Sequence, residues 1–185
     1  MSAAAAVITV IGVFKGSAGE TAPFERLEKD GKFEIRDYPK LVLVSASSES
    51  GDKRAADERF MKLFRYIGGS NDKSEKISMT TPVFMFDKGA KKTMSFVMPA
   101  SVAVAGAPKP NSEEVRVESN PSRRYAVFRF TGLRSEKKEA ASLRSLADWM
   151  KRRGLKSTGE TIYAYYNPPW IPGFLRRNEV LVPIN

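Results

Sequence analysis

The 185-residue chain contains neither histidine nor cysteine. Those absences remove serine–histidine and cysteine–histidine nucleophilic machinery, imidazole and thiolate metal sites, disulfides and dithiol redox chemistry. Any acid–base work falls to carboxylates, tyrosine or lysine. Also missing is an apolar run long enough to span a bilayer. The longest, Ala3–Phe14, falls short of the roughly 20 residues a spanning helix needs. It lacks the preceding basic residue and the clear small-residue cleavage site of a signal peptide. Residues 1–20 therefore read either as a docked or frayed segment or as a trimmed signal or anchor. Localisation stays open between cytoplasm and export.

Hydrophobic residues make up 42% and charged residues 28%, the balance of a folded globular chain rather than a disordered one. The formal net charge is +10, with most of the surplus after residue 100. A basic surface favours anionic partners such as nucleic acid, acidic lipid or small polycarboxylates. No RNP-like or K-homology-like pattern accompanies the aromatic and basic residues, so no nucleic-acid partner is expected. Gly68-Gly69 closes a helical pattern rather than opening one, and neither a P-loop nor a G-x-G-x-x-G fingerprint is present. The basic cluster Lys151–Arg153 with Lys156 either touches phosphates or, lying in the last turn of a helical pattern, complements the backbone dipole.

Periodicity divides the chain into two similar units. Phe33–Arg36 alternates as a half-buried strand, and Leu41–Val44 follows Pro39 as an apolar run. Ala56, Phe60, Leu63, Phe64 and Ile67 share one helical face, which predicts a core stripe of Phe60, Leu63 and Ile67. Val83–Phe86 and Met94–Met98 predict two further strands. After a Pro/Ala/Gly connector at 99–114 the pattern restarts with Val115–Glu118 and Arg124–Phe130. Ser135 is a plausible N-cap for a helix carrying Leu143, Leu146, Ala147 and Met150, and Gly154 closes it. Thr161–Tyr166 and Glu179–Ile184 end the second unit. Two β-α-β-β units, roughly 24–100 and 115–185, predict one α+β domain over 21–185. Its expected form is a pseudo-symmetric open or distorted barrel of about eight antiparallel strands with two amphipathic helices.

Two places attract a ligand reading. Segment 162–178, IYAYYNPPWIPGFLRRN, combines stiffening prolines with Trp170, Ile171 and Phe174, which either pack on the body or line a pocket. Arg176 and Arg177 beside them could pair with ligand carboxylates or stay solvated. On the first helix, Met61 and Phe64 widen the apolar arc, with Lys62 and Arg65 at its edges. Such an arc is either a broad buried face or the wall of an apolar cleft with cationic margins, suited to a flat hydrophobic molecule carrying carboxylates.

Four stretches, Phe33–Pro39 (FEIRDYP), Tyr66–Lys73 (YIGGSNDK), Lys76–Val83 (KISMTTPV) and Tyr166–Ile184 (YNPPWIPGFLRRNEVLVPI), together resemble the SOUL heme-binding protein family over about 24–185. The resemblance implies two β-α-β-β halves related to gyrase-inhibitor-like ligand-binding domains. It further implies non-covalent binding of heme or another tetrapyrrole in a cleft between the first helix and the loop before the last strand. Phe60 and Phe64 would fall in that pocket with Arg65 as propionate partner, and Pro168–Phe174 would form the loop wall. The candidate set is thus Phe60, Met61, Phe64, Arg65, Trp170, Ile171, Phe174 and Arg176. The chain departs from the family in carrying Asp57 where an arginine is used, Ile171 near a lysine position, and no histidine.

The expected pocket is therefore apolar and loosely coordinating, and its tetrapyrrole exchangeable, in a carrier, buffer or sensor. Met61, Met79, Met85, Tyr166 or water are the axial candidates. The protein is expected to be a monomer and not an enzyme, with membrane contact, if any, through residues 3–14. Two other classes remain. One is a gyrase-inhibitor-like hydrolase of a small hydrophobic electrophile, using Glu179 with Tyr163, Tyr165 or Tyr166; it would need a carboxylate of raised pKa in the cleft. The other is a protein-interaction module docking through the apolar helix face or the N-terminal segment.

Overall fold

Apolar and polar residues alternate in strands such as Phe33–Tyr38 and Val115–Asn120 of this computed structural model, which describes residues 19–49, 53–88 and 91–185. The apolar segment 3–14 lies outside the described residues. No helix among the described residues is long and apolar enough to cross a membrane.

The first unit consists of β1 (Glu25–Asp30), β2 (Phe33–Tyr38), β3 (Leu41–Ser48), α1 (Lys53–Ile67), β4 (Val83–Lys88) and β5 (Lys91–Val97). A short helix, α2 (Ala100–Ala105), occupies the connector. The second unit is β6 (Val115–Asn120), β7 (Arg123–Thr131), α3 (Glu136–Arg152), β8 (Ile162–Tyr165) and β9 (Arg177–Ile184). All nine strands form one antiparallel sheet in the order β1-β2-β7-β9-β8-β4-β5-β3-β6. The α+β class and the duplication agree with the sequence reading.

Two features go beyond it. Each half ends in an antiparallel pair after its helix, β4–β5 and β8–β9, and the leading strands are exchanged. β2 pairs with β7 of the other half, and β6 pairs with β3. Apart from β1, the strand order is symmetric about the β8–β4 pair, where Val83 lies opposite Tyr165. The ninth strand, β1, has the sequence ERLEKD and pairs only with β2 at the sheet edge. Its charges suit an edge exposed to water, and they also hide it from a search for apolar alternation.

Both helices cover one face of the sheet. That core contains Val44, Phe96 and Val180 from the strands, Leu63 and Tyr66 from α1, and Leu146, Trp149 and Met150 from α3. Trp149 stacks on Phe33 with centroids 5.2 Å apart, and its indole N–H donates to Asp30 at 2.8 Å. The Ser135 N-cap is present, its hydroxyl accepting from the Lys138 backbone at 3.3 Å. Inward faces differ from the expected stripes in detail. On α3, Ser142 and Trp149 are buried while Ala147 is exposed. On α1 the inward residues are Ala55, Arg59, Leu63, Tyr66 and Ile67, and Phe60 is only half-buried. Buried Arg59 donates to the Ser48 hydroxyl, so a cation faces inward at a position outside the predicted apolar stripe.

Candidate functional site

The shift of the α1 core stripe by one position leaves Phe60 and Phe64 at the margin of the core, while Tyr66 packs inside it. Phe64 is 49% exposed and Met61 45% exposed. Phe60 and Phe64 stack with centroids 5.9 Å apart and planes within 15°. Phe60 also meets Phe96 edge-on at 5.5 Å, which fixes the pair against the sheet. A broad buried helix face is therefore not what these residues form. Lys62 is taken by Glu114 at 2.6 Å, whereas exposed Arg65 has no ion-pair partner among the described residues.

The YIGGSNDK stretch sets the end of this helix. Gly69 adopts φ +114°, open to glycine but strained for other residues. Asn71 is buried, and its amide donates to the carbonyls of Tyr66 (3.1 Å) and Glu75 (2.8 Å). Its oxygen accepts from the backbone of Lys73 and Glu75. The motif is a staple that positions the last turn of α1, and with it Arg65.

One row across the helix-covered face leads from α1 towards α3. Phe96 lies opposite Val83, and Val83 lies opposite Tyr165. Both Val83 and Tyr165 are only half-buried. The Tyr165 hydroxyl bonds to Glu139, and the Arg134 guanidinium lies 5.4 Å from its ring centroid. Burial, followed by the Glu139 charge, pushes this phenol well above its ordinary range. Past Tyr165 the chain enters the proline-rich loop before β9.

In that loop Trp170 is 79% exposed and Phe174 76% exposed, with Ile171 half-buried. The two aromatic rings do not pack on the body. Arg176 turns back into the loop, donating to the carbonyls of Ile171 (2.8 Å) and Pro169. It acts as a loop staple rather than a free cation. Of the axial candidates, Met85 is buried in the helix-face core and Tyr166 lies on the opposite face of the sheet. Met79 is partly exposed ahead of β4. Only Met61 is exposed beside the Phe60–Phe64 pair.

The opposite, inner face carries a buried ion-pair network that sequence reasoning did not anticipate, although Glu179, Tyr166 and Arg177 were among its candidates. Arg36 and Glu179, both essentially inaccessible, form a bidentate pair at 2.7 and 2.9 Å. Arg36 also donates to Glu34 at 2.6 Å, Arg177 donates to Glu179 at 2.7 Å, and Tyr166 donates to Glu179 at 2.8 Å. Burial alone would raise the Glu179 carboxyl; hydrogen bonding and charge from Arg36, then Arg177, hold it below the ordinary carboxylate range. Burial pushes Tyr38 up to about 12 and Tyr166 well above its usual value. Glu179 is thus a fixed anion, the opposite of the raised carboxyl that a general acid requires. The available signal was weak, because Glu34, Arg36 and Glu179 occupy alternating positions that look solvent-facing in a half-buried strand.

The inner face also holds a cavity of about 370 Å³ with Leu43, Phe86, Thr93, Ser95 and Tyr125 in its lining. That volume lies at the low end of small-molecule sites, roughly 300–1,000 Å³. Phe60, Phe64, Trp170 and Phe174 do not line it; Phe60 packs at the margin of the helix-face core, and Phe64, Trp170 and Phe174 are exposed.

A duplicated antiparallel sheet covered on one face by α1 and α3 defines a pseudo-symmetric class of α+β protein. The chain belongs to the SOUL heme-binding protein family, whose model matches residues 19–183. Heme-binding protein 2 of Homo sapiens is 33% identical over 172 residues, covering 88% of this chain and 82% of that protein. Heme-binding protein 1 of Sus scrofa is 28% identical, covering 92% and 97%. Among solved structures, the C-terminal domain of EcmrR matches with a TM-score of 0.63 at 12% identity, covering 83% of this chain and 96% of that one. A hydrolase from Listeria innocua matches with a TM-score of 0.57 at 13% identity, covering 86% and 94%. At those identities the structures share the fold.

Proposed function

We propose that this chain binds heme or a related tetrapyrrole non-covalently on the helix-covered side of the sheet, between α1 and the 168–174 loop. The observation that carries this reading is the stacked Phe60–Phe64 pair at the margin of the core, beside Arg65, which has no ion-pair partner among the described residues. A porphyrin offers a flat apolar face and anionic propionates, and this surface complements both. The family relatives named as heme-binding proteins point the same way.

Covering apolar surface contributes roughly 25 cal/mol per Å² before association costs are subtracted. The donor set fits the macrocycle better than the metal, since the chain supplies no imidazole and no thiolate. Met61 alone among the candidate ligands is exposed beside the rings. Affinity then rests on the porphyrin faces and edges, and the ligand exchanges readily, as a carrier or buffer requires. Phe60, Met61, Phe64 and Arg65 form the helix wall of the site. Trp170, Ile171 and Phe174 form the loop wall, and Arg176 shapes that loop.

The test is a comparison of two ligands. Hemin and iron-free protoporphyrin should each saturate the protein at one equivalent, followed by absorbance and by quenching of Trp170. Their dissociation constants should agree within about tenfold, or ~1.4 kcal/mol. Tight hemin binding with no porphyrin binding would show that iron coordination dominates and would defeat the reading. No observation favours the hydrolase reading, because the buried carboxylate it would use has a lowered pKa.

A further inference from the structure

Large apolar side chains left in water need a reason, and four of them cluster at one tip of this molecule. Trp170 (79% exposed), Phe174 (76%) and Leu175 (62%) come from the loop before β9, and Leu133 (55%) from the turn before α3. The two segments touch, because a Cβ placed on Gly173 would lie 2.9 Å from the Leu133 side chain.

The loop is built to hold these groups outward. A single 3-10 turn, Gly173–Leu175, is closed by Leu175 N–H to Pro172 (3.0 Å) and Arg176 N–H to Gly173 (3.1 Å). Asn167 accepts from the Arg177 backbone at 2.7 Å, and the Arg176 guanidinium ties down two further carbonyls. Three prolines, Pro168, Pro169 and Pro172, restrict the backbone further.

Charge around the tip is mostly positive. Segments 131–139 and 166–176 carry Arg134, Lys137, Lys138 and Arg176 against Glu136 and Glu139. Lys137 and Lys138 are exposed, and Glu139 is already engaged by Arg134 and the Tyr165 hydroxyl. A projecting Trp/Phe/Leu tip with a cationic rim is the chemistry of an interfacial anchor, in which the rings enter the headgroup boundary and the cations meet lipid phosphates.

We infer that this tip is a docking site for anionic lipid bilayers. The contact itself stands apart from the tetrapyrrole reading. Only its consequence rests on that reading, namely that Trp170 and Phe174 would bring the ligand site to the membrane, where porphyrins partition.

The test uses the full chain without ligand. Of the two tryptophans, Trp149 is buried, so any change in emission with vesicles reports Trp170. Phosphatidylcholine–phosphatidylserine vesicles should shift the emission to the blue and sediment the protein. Added salt or pure phosphatidylcholine should weaken both effects. The double variant Trp170→Ala/Phe174→Ala should lose at least about tenfold in vesicle affinity by sedimentation, ~1.4 kcal/mol. Phe64→Asp should still bind vesicles, which separates this site from the ligand site. Absence of any shift or sedimentation, or unchanged binding by the double variant, overturns the inference. The latter result would assign the contact to another part of the chain.

Discussion

Glu179→Ala is expected to lower the stability of the fold by about 3–5 kcal/mol, the usual cost of removing one partner from a buried ion pair. The substitution leaves Arg36, 1% exposed, facing Tyr38 and Tyr166 without the bidentate carboxylate that now neutralises it. Arg177 and the Tyr166 hydroxyl lose an acceptor at the same time. Glu34 still holds one edge of Arg36 at 2.6 Å, which places the loss within that range rather than above it. Replacing Arg36 by methionine in the same chain should recover much of the loss, because the uncompensated buried charge is then gone. Urea unfolding of the single and double variants measures both effects.

The same pair sets an acid limit. Glu179 has a folded-state pKa below its unfolded value. Its contribution is fully present above the unfolded carboxylate range and is lost as pH falls through the lower, folded value. Wild-type stability should therefore drop below about pH 4, and the Glu179→Ala/Arg36→Met double variant should show a shallower drop.

Phe64→Asp is expected to weaken hemin binding about 100-fold, ~2.7 kcal/mol, with little effect on folding. Phe64 is half-exposed on α1, so an aspartate there stays hydrated in the free protein. On binding, the substitution removes one ring of the stacked pair, and its carboxylate is desolvated against an apolar macrocycle. It also places a negative charge one residue from Arg65, the proposed propionate partner. Lys62, already paired with Glu114, is not available to offset it. Hemin titration alongside a urea curve separates lost affinity from lost structure.

The sequence carried the duplication because periodicity is local: the two amphipathic helices and most strands each announce themselves within a few residues. Pairing partners are not local, so the exchange of β2 and β6 between the halves was invisible. β1 escaped notice because an edge strand exposed on both faces has no apolar alternation to read. Hydropathy also misjudged α1. It placed Phe60 inside and gave no reason to bury Arg59, whereas the helix rotates to pack Arg59 and Tyr66 inward and leaves Phe60 and Phe64 at the margin.

The α1 residues Phe60, Met61, Phe64 and Arg65 were legible as a group from the width of the apolar arc and the family resemblance. The role of Arg176 was not. Whether an arginine faces solvent or staples its own loop depends on where neighbouring carbonyls point, which composition does not encode. The Arg36–Glu179 pair joins residues far apart in sequence, and each looked like an outward polar position on its own strand.

The central claim is that the tetrapyrrole sits on the helix-covered side of the sheet. Amide NMR spectra recorded with ferric hemin and with iron-free protoporphyrin test it directly, because paramagnetic broadening marks residues near the iron. The account predicts broadening across Phe60–Arg65 and across 168–174, with Thr93, Ser95 and Glu179 on the inner face unaffected. Broadening centred on Thr93, Ser95 and Tyr125, around the inner-face cavity, with α1 untouched would contradict it.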